Sequence, residues 1–442
     1  MVQDLSRFVY RFPIFSELYL NWNKCRCPKR QISCINTEGR ARMDFDVFFD
    51  GLGIKAPDRC FDGVFKEAFA EYQKSGVYFL DDAYIAYVNS FEDCLSNCLE
   101  ETRSAAAKLR ENETLAVYAL FLHRAMAQRT AFLKHIKTFE FPGGEEEERR
   151  LLPFIVLLPE LPKLFERLKA REVPEDIIAA SLRQFEDCVF LTQERTGRLG
   201  FLKRYFDHMQ LYLDEKVLNI GRLRFEMVPA LESDILVLRN NAGEAAVLFD
   251  SAKINCAGRL YGTPPEKENE TCVIAKAEET ETGFLGFCAD ENGNCASCTR
   301  EYPKSIWKTA LRKGDAVLSV HIPNKGALTK EACEASYKRA QAVFRACYPE
   351  FAFKAFHCHS WMLDPQLHKF LPESSNILAF QRKFTQYAGQ TEGKDVFNFV
   401  FKLQFKEYND MPEDTSLQRG LKKHYLDGKY IYEYEGIFFG AE

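Results

Sequence analysis

The feature that most restricts this chain is a strand, a short loop, a long helix and a second strand in direct succession. GDAVLSVHIP (314–323) reads as a strand, with its core over 316–322, and NKGAL follows as a loop. TKEACEASYKRAQAVFRACYP (329–349) then reads as a helix that Thr329 can cap, and FAFKAFHCHSWML (351–363) as the next strand. A helical crossover of this length brings the two strands into one sheet as parallel partners. If they part at their carboxyl ends, a crevice opens beside the free N–H groups at the helix start. A pyrophosphate would sit there, with Lys325 adding charge and Gly326 allowing close backbone approach. A single glycine in such a loop more often serves only the turn.

Upstream the chain is mostly helical. Phe61, Phe65 and Phe69 recur every four residues within 58–76, which ends on Gly76. Helical spacing continues over 90–109, 113–139, 173–197 and 201–216, punctuated by the Pro-Gly-Gly and Glu run of 141–150. From 217 the pattern turns to strands: one over 217–229, then two over 233–253 around an Asn-Asn-Ala-Gly-Glu turn. A loop-like insertion spans 254–304. Beyond the βαβ unit, 374–389 reads as a helix, 396–405 as a strand, 415–428 as a helix and 429–439 as a final strand. The chain therefore reads as α/β (α+β): a mostly helical domain over 1–165 followed by a mixed-sheet domain over 166–442.

Composition narrows the function classes. A net charge of −5 without a dense Lys/Arg run gives no electrostatic footprint for nucleic acid. Arg7, Arg11 and Glu17 interrupt the amino-terminal apolar residues, so no signal-peptide core is expected. LLPFIVLLP is too short to cross a bilayer. Fifteen scattered cysteines suit reduced thiols in a cytoplasm. The incomplete clusters at 25–34, Cys94/Cys98 and Cys288/Cys295/Cys298 read as free thiols; Cys256 or Cys272 would have to complete a zinc site at the last.

His321, His357 and His359 are the residues best suited to chemistry. Strand alternation puts His357 and His359 on one face, with Cys358 and Ser360 on the other, and His321 ends the neighbouring strand. An imidazole there can accept a proton near neutral pH, and Glu226 is an alternative base. The same histidines read as packing residues, or, with Glu226 or Asp364, as zinc or iron ligands if all converge. A Cys358–His hydrolase is disfavoured because strand neighbours face opposite ways, and no Gly-x-Ser-x-Gly elbow exists.

IGRLRFE (220–226), GDAVLSVHIPNKGALTKE (314–331), FHCHSWMLDPQL (356–367) and LPESSNILAFQRKF (371–384) resemble a bacterial acyltransferase domain-containing family. That family has an N-acyltransferase N-terminal domain and a GNAT-like C-terminal domain. The resemblance implies an acyl-CoA donor, an amine acceptor and no resident metal, with the strand over 316–322 offering amides to the thioester carbonyl. It implies donor contacts from Ile322, Asn324, Lys325, Gly326, Ala327 and Thr329, a pantetheine contact from Asn376 and Tyr387 as proton donor to the leaving thiolate; from the residues alone, Asn376 reads as a helix cap and Tyr387 as a surface-packed tyrosine. The chain departs from that family's usual Gln/Arg-x-x-Gly-x-Gly/Ala loop, since PNKGALT holds one glycine. A non-catalytic binding protein built on the same fold, or a metal enzyme using the histidines, are the alternatives.

Overall fold

The structure, a computed structural model, describes residues 44–263, 272–402 and 405–440. The amino-terminal residues, including the 25–34 cysteines and Arg7, Arg11 and Glu17, lie outside them. The described chain opens with ten α-helices: α1 (Phe45–Leu52), α2 (Asp62–Ser75), α3 (Asp82–Asn89), α4 (Leu99–Glu111), α5 (Glu113–Ala127), α6 (Arg129–His135), α7 (Glu147–Ile155), α8 (Leu161–Ala170), α9 (Glu175–Thr196) and α10 (Lys203–Leu213). Phe61, Phe65 and Phe69 are buried, as their spacing requires, and Gly76 takes φ 67° just past α2. Glu147 and Glu148 occupy the first turn of α7, where the helix dipole favours them. The helix expected over 90–109 starts only at Leu99, because Glu92 and Asp93 take positive φ and break it. The one expected over 113–139 breaks at Gln128, whose ψ of 58° is not helical. Position 165 lies inside α8, and helices run on to Leu213 before the first strand.

The remainder comprises β1 (Val217–Ile220), β2 (Leu223–Val228), β3 (Ile235–Asn240), β4 (Ala245–Phe249), β5 (Ala252–Asn255), β6 (Cys272–Ala275), β7 (Ala277–Glu279), β8 (Gly283–Ala289), β9 (Cys295–Pro303) and β10 (Trp307–Arg312). It continues with β11 (Val317–His321), α11 (Lys330–Cys347), β12 (Ala355–Ser360), α12 (Asn376–Gln381), β13 (Thr385–Ala388), α13 (Asp395–Phe399), α14 (Ser416–Leu426) and β14 (Tyr434–Phe438). One sheet runs β1-β2-β11-β12-β14-β13, and a second β10-β3-β4-β8-β7 with β9 on β8. The fold is thus a helical part followed by a mixed-sheet part, as expected. β11 and β12 are parallel neighbours, as the crossover requires.

Four further element readings are corrected. The strand expected over 217–229 is a hairpin, because Gly221 at φ 62° turns the chain between β1 and β2. Among its described residues the insertion is largely strand, with β8 and β9 paired along most of their length. Its polar, Gly-rich sequence hid edge strands that alternate only weakly. The helix expected over 374–389 stops at Gln381, and Tyr387 lies on β13 beside β14. The strand expected over 396–405 begins as α13, whose Val396 packs with Leu421 and Tyr425 in a small satellite core. Tertiary packing overrides β-propensity there.

The main core runs without interruption from Phe45 to Phe438, so the helices and first sheet share one apolar interior. Within it, Glu186 of α9 is 2% exposed and accepts the N–H groups of Asn97 at 2.5 Å and Cys98 at 3.0 Å, and Asn97 Nδ2 at 2.8 Å. It satisfies amides at the start of α4 that the helix itself cannot. Glu186→Ala should therefore lower the unfolding free energy by about 2–4 kcal/mol in urea denaturation, since buried donors lose a charged acceptor. A midpoint equal to wild type would refute this capping role.

Candidate active site

The register shows where the sheet opens. β11 pairs with β12 at Val317↔Ala355, Leu318↔Phe356 and Ser319↔His357, and there the pairing stops. Val320 and His321 stay on β2, opposite Phe225 and Arg224, while Cys358, His359 and Ser360 stay on β14. The facing edges of the two strands therefore part over their last residues, next to the loop that leads into α11.

Side-chain alternation sorts the two faces of this opening. Phe225, Phe356 and Phe438 lie on the α11 side and surround Tyr337; Phe356 stacks on Phe438 at 4.6 Å, and Tyr337 meets Phe438 at 4.8 Å. Cys358 is buried on this side, and burial pushes its thiol well above the ordinary range, which rules it out as a nucleophile. The opposite face is polar. One register row carries Glu226, Ser319 and His357; the next carries Arg224, His321, His359, Glu435 and Tyr387.

His321 and Glu226 form a pair, Nε2 to Oε2 2.8 Å, with the imidazole 40% and the carboxylate 21% exposed. Deeper, His357 meets Glu435 at 3.0 Å, and both are 12% exposed. The Tyr387 hydroxyl donates to the same Glu435 oxygen at 2.9 Å, and Ser233, just before β3, donates to it as well. Burial alone would raise the Glu435 pKa. The hydrogen bond and charge of His357, then the charge of His359 and the Ser233 hydroxyl, outweigh it and hold the group at about 2. Burial, then the charge of Glu435, push the Tyr387 hydroxyl well above its ordinary range.

The helical part closes over this face. Arg224 reaches His208 of α10 at 3.1 Å, Gln184 of α9 at 2.6 Å and Asn219 at 3.1 Å. Burial, then the charges of Arg224 and His321, hold His208 well below its ordinary pKa, so it is neutral. Beyond His359, burial raises the pKa of Asp395 against the charges of His359 and Arg204.

Of the expected donor contacts, Ile322, Asn324, Lys325, Gly326, Ala327 and Thr329 all fall in the β11–α11 loop. Thr329 caps α11 through Ala332 N–H at 3.3 Å. Lys325 is ion-paired with Asp187 of α9. Asn376 is exposed at the start of α12, which Ser375 caps. The expected groups His321 and Glu226 are brought together, as are His357 and Tyr387 through Glu435; His359 stands apart, exposed. Among the described residues, the only His/Cys/Asp/Glu group close enough to hold a metal ion is Asp58, Cys60 and His135, on the helical part. The three sheet histidines and the Cys288/Cys295/Cys298 thiols do not converge in this way.

Sequence reading missed Glu435, Arg224 and His208. The alternation in KYIYEYEGIFF does place Glu433 and Glu435 on one face, but nothing local announces a histidine partner. Arg224 and His208 meet across two elements and leave no spacing signal.

A mixed sheet with a parallel pair that parts at a helix start, over a polar face, is the architecture of acyltransferases of the GNAT type. The chain belongs to that family: residues 217–438 match the GNAT-like C-terminal domain, and residues 95–205 match the N-acyltransferase N-terminal domain. It is similar in fold to an acyltransferase solved in complex with decanoyl-CoA, at 18% identity and TM-score 0.59, covering 90% of this chain and 100% of that one. An acyltransferase mutant in complex with octanoyl-CoA gives 17% identity, TM-score 0.59 and coverage of 90% and 100%. An acyltransferase in complex with CoA and 10C-teicoplanin gives 17%, 0.58, 90% and 99%. No curated protein sequence matches the chain. No helix among the described residues is long and apolar enough to cross a membrane.

Glu433 supplies a test of the electrostatics at the site's edge. It is 5% exposed and accepts the N–H groups of Gly393 and Asp395, each at 3.1 Å. Burial, then the charge of Asp395, push its pKa up to about 7. The folded value exceeds the unfolded one, so the contribution to stability is complete below about pH 4.3 and is lost as pH rises through the folded pKa. The melting temperature of wild type should therefore fall more between about pH 5 and 8 than that of Glu433→Gln. Parallel curves for the two proteins would exclude the shift.

Proposed function

We propose that this chain is an N-acyltransferase that moves an acyl group from an acyl-CoA thioester to the amine of a small molecule. The observation that carries the reading is the parting of β11 from β12 after Ser319 and His357, beside the start of α11. Unpaired backbone groups on that edge of β11 suit the thioester carbonyl, and the amides of the loop and helix start suit the donor's pyrophosphate. Family membership supports the reading, as do solved relatives of the same fold that hold CoA thioesters.

In this mechanism the amine nitrogen attacks the thioester carbonyl carbon, the carbon–sulfur bond breaks and CoA leaves as a thiolate. His321 accepts the amine proton. With Nε2 hydrogen-bonded to Glu226, its Nδ1 is the free base, and the carboxylate stabilises the imidazolium that results. His359, exposed on the other side of the parting, is our candidate to return a proton to the thiolate. Tyr387 and His357 act on Glu435 and so hold the polar face in shape, rather than meeting the donor. The helical part, through α9 and α10, forms the acceptor side.

Titration of the purified protein with decanoyl-CoA, followed by transfer assays on a panel of amines, tests this. Saturable binding with amide formation is expected. Absence of binding to any CoA thioester would overturn the reading, and binding without transfer to any amine would favour a non-catalytic binding protein. His321→Gln should lower turnover by about a hundredfold and Glu226→Gln by about tenfold, with decanoyl-CoA affinity unchanged in both. Loss of donor affinity in either variant would contradict the base assignment.

A further inference from the structure

The loop after β11 has one glycine with which to shape an anion cradle, and only Gly326, at φ 63°, uses that freedom. Lys325 is neutralised by Asp187. Something else must set the direction of the loop's amides, and the β1–β2 turn reaches it. Arg222 Nε donates to the carbonyl of Ala327 at 3.1 Å and Arg222 Nη2 to that of Gly326 at 3.2 Å. Its remaining nitrogen, Nη1, is buried without a partner, and no carboxylate among the described residues pairs with the guanidinium.

Peptide planarity converts those two contacts into an orientation. In a trans peptide the N–H points opposite to the carbonyl of the same unit. With the Gly326 and Ala327 carbonyls drawn toward Arg222, the N–H groups of Ala327 and Leu328 point away from the β1–β2 turn. In the sheet order β12, from which β11 parts, lies on the opposite side of β11 from that turn. Neither amide has an acceptor within the described protein. The turn is itself anchored: Arg222 N–H donates to Ser336 Oγ of α11 at 2.8 Å. Residue 221 must be glycine, because a Cβ there would sit 2.7 Å from that hydroxyl at a φ of 62°.

Resting on the donor reading above, we propose that Arg222 is a positioning residue: it turns the Gly326–Ala327–Leu328 amides toward the donor's phosphates and supplies an uncompensated positive charge behind them. The role that extra glycines fill by backbone freedom is filled here by a side chain from a neighbouring hairpin.

The test compares decanoyl-CoA with S-decanoyl-pantetheine, which carries the same acyl group but no pyrophosphate. Calorimetry on wild type, Arg222→Met, Arg222→Lys and Ser336→Ala should show decanoyl-CoA weakened by roughly tenfold to a hundredfold in Arg222→Met, with S-decanoyl-pantetheine unchanged. Arg222→Lys should recover only part of that loss, because it keeps the charge but lacks the rigid planar fork that fixes both carbonyls. Ser336→Ala should show a smaller loss of the same kind, and it carries the test should Arg222→Met fail to fold. Wild-type affinity for decanoyl-CoA in the Arg222 variants overturns the proposal, as does equal loss for both thioesters or full rescue by lysine. A wild-type protein that binds neither thioester instead removes the donor reading itself.

Discussion

Two parallel strands that begin paired and end apart govern the rest of this molecule. Once β11 and β12 stop sharing hydrogen bonds after Ser319 and His357, each keeps its outer partner and loses its inner one. Backbone groups on those inner edges cannot be sealed in an apolar core without cost, so the gap has to stay wet or hold a ligand. The crossover helix must begin at the same end, because β11 feeds directly into it. Free helix-start amides and free strand-edge groups are therefore brought to one place by topology alone. The alternation of side chains then gives that place an aromatic floor on the α11 side and an ionisable ceiling on the other.

Charge inside that ceiling survives because each group has an answer. Glu435 keeps its proton off in a buried position because the hydrogen bond and charge of His357, the charge of His359 and the Ser233 hydroxyl outweigh burial. Arg224 spreads its guanidinium over His208, Gln184 and Asn219, which come from α10, α9 and β1. That network spans the seam between helices and sheet, and Tyr212 adds to it by donating to Asn219 at 2.7 Å. The helical part is thus fixed over the polar face by hydrogen bonds as well as by the shared core. A cover held this way keeps a defined distance from His321.

The legible part of this architecture was whatever is periodic and local. The βαβ unit, its Thr329 cap and the opposite facing of His357 and Cys358 follow from spacing, as do the buried Phe61, Phe65 and Phe69. Pairing partners were not legible. His321 and Glu226 stand 95 residues apart in the chain, and His357 and Glu435 stand 78 apart, so no window of sequence contains either pair. Where local pattern and packing disagree, packing wins. Thr385–Ala388 joins β14 as an edge strand although it continues a helical run, and Asp395–Phe399 coils so that Val396 can enter the satellite core. Gly221 shows a third kind of failure: one residue with positive φ splits an alternating run into a hairpin without disturbing its alternation.

The loop between β11 and α11 takes its shape from contacts outside itself. A glycine-rich loop encodes its shape in its own φ values and pays in chain entropy for doing so. Here the shape comes from outside: two carbonyls held by Arg222, a turn fastened to Ser336, and a lysine tied to Asp187 on the helical part. Tertiary hydrogen bonds of this kind are invisible to a short sequence pattern, because the residues that make them lie on β1–β2, α9 and α11. They also couple the loop to its surroundings. A change in the seat of α9 moves Asp187 and a change in the hairpin moves Arg222, so the loop is only as rigid as the seam that Arg224 and Asn219 hold together.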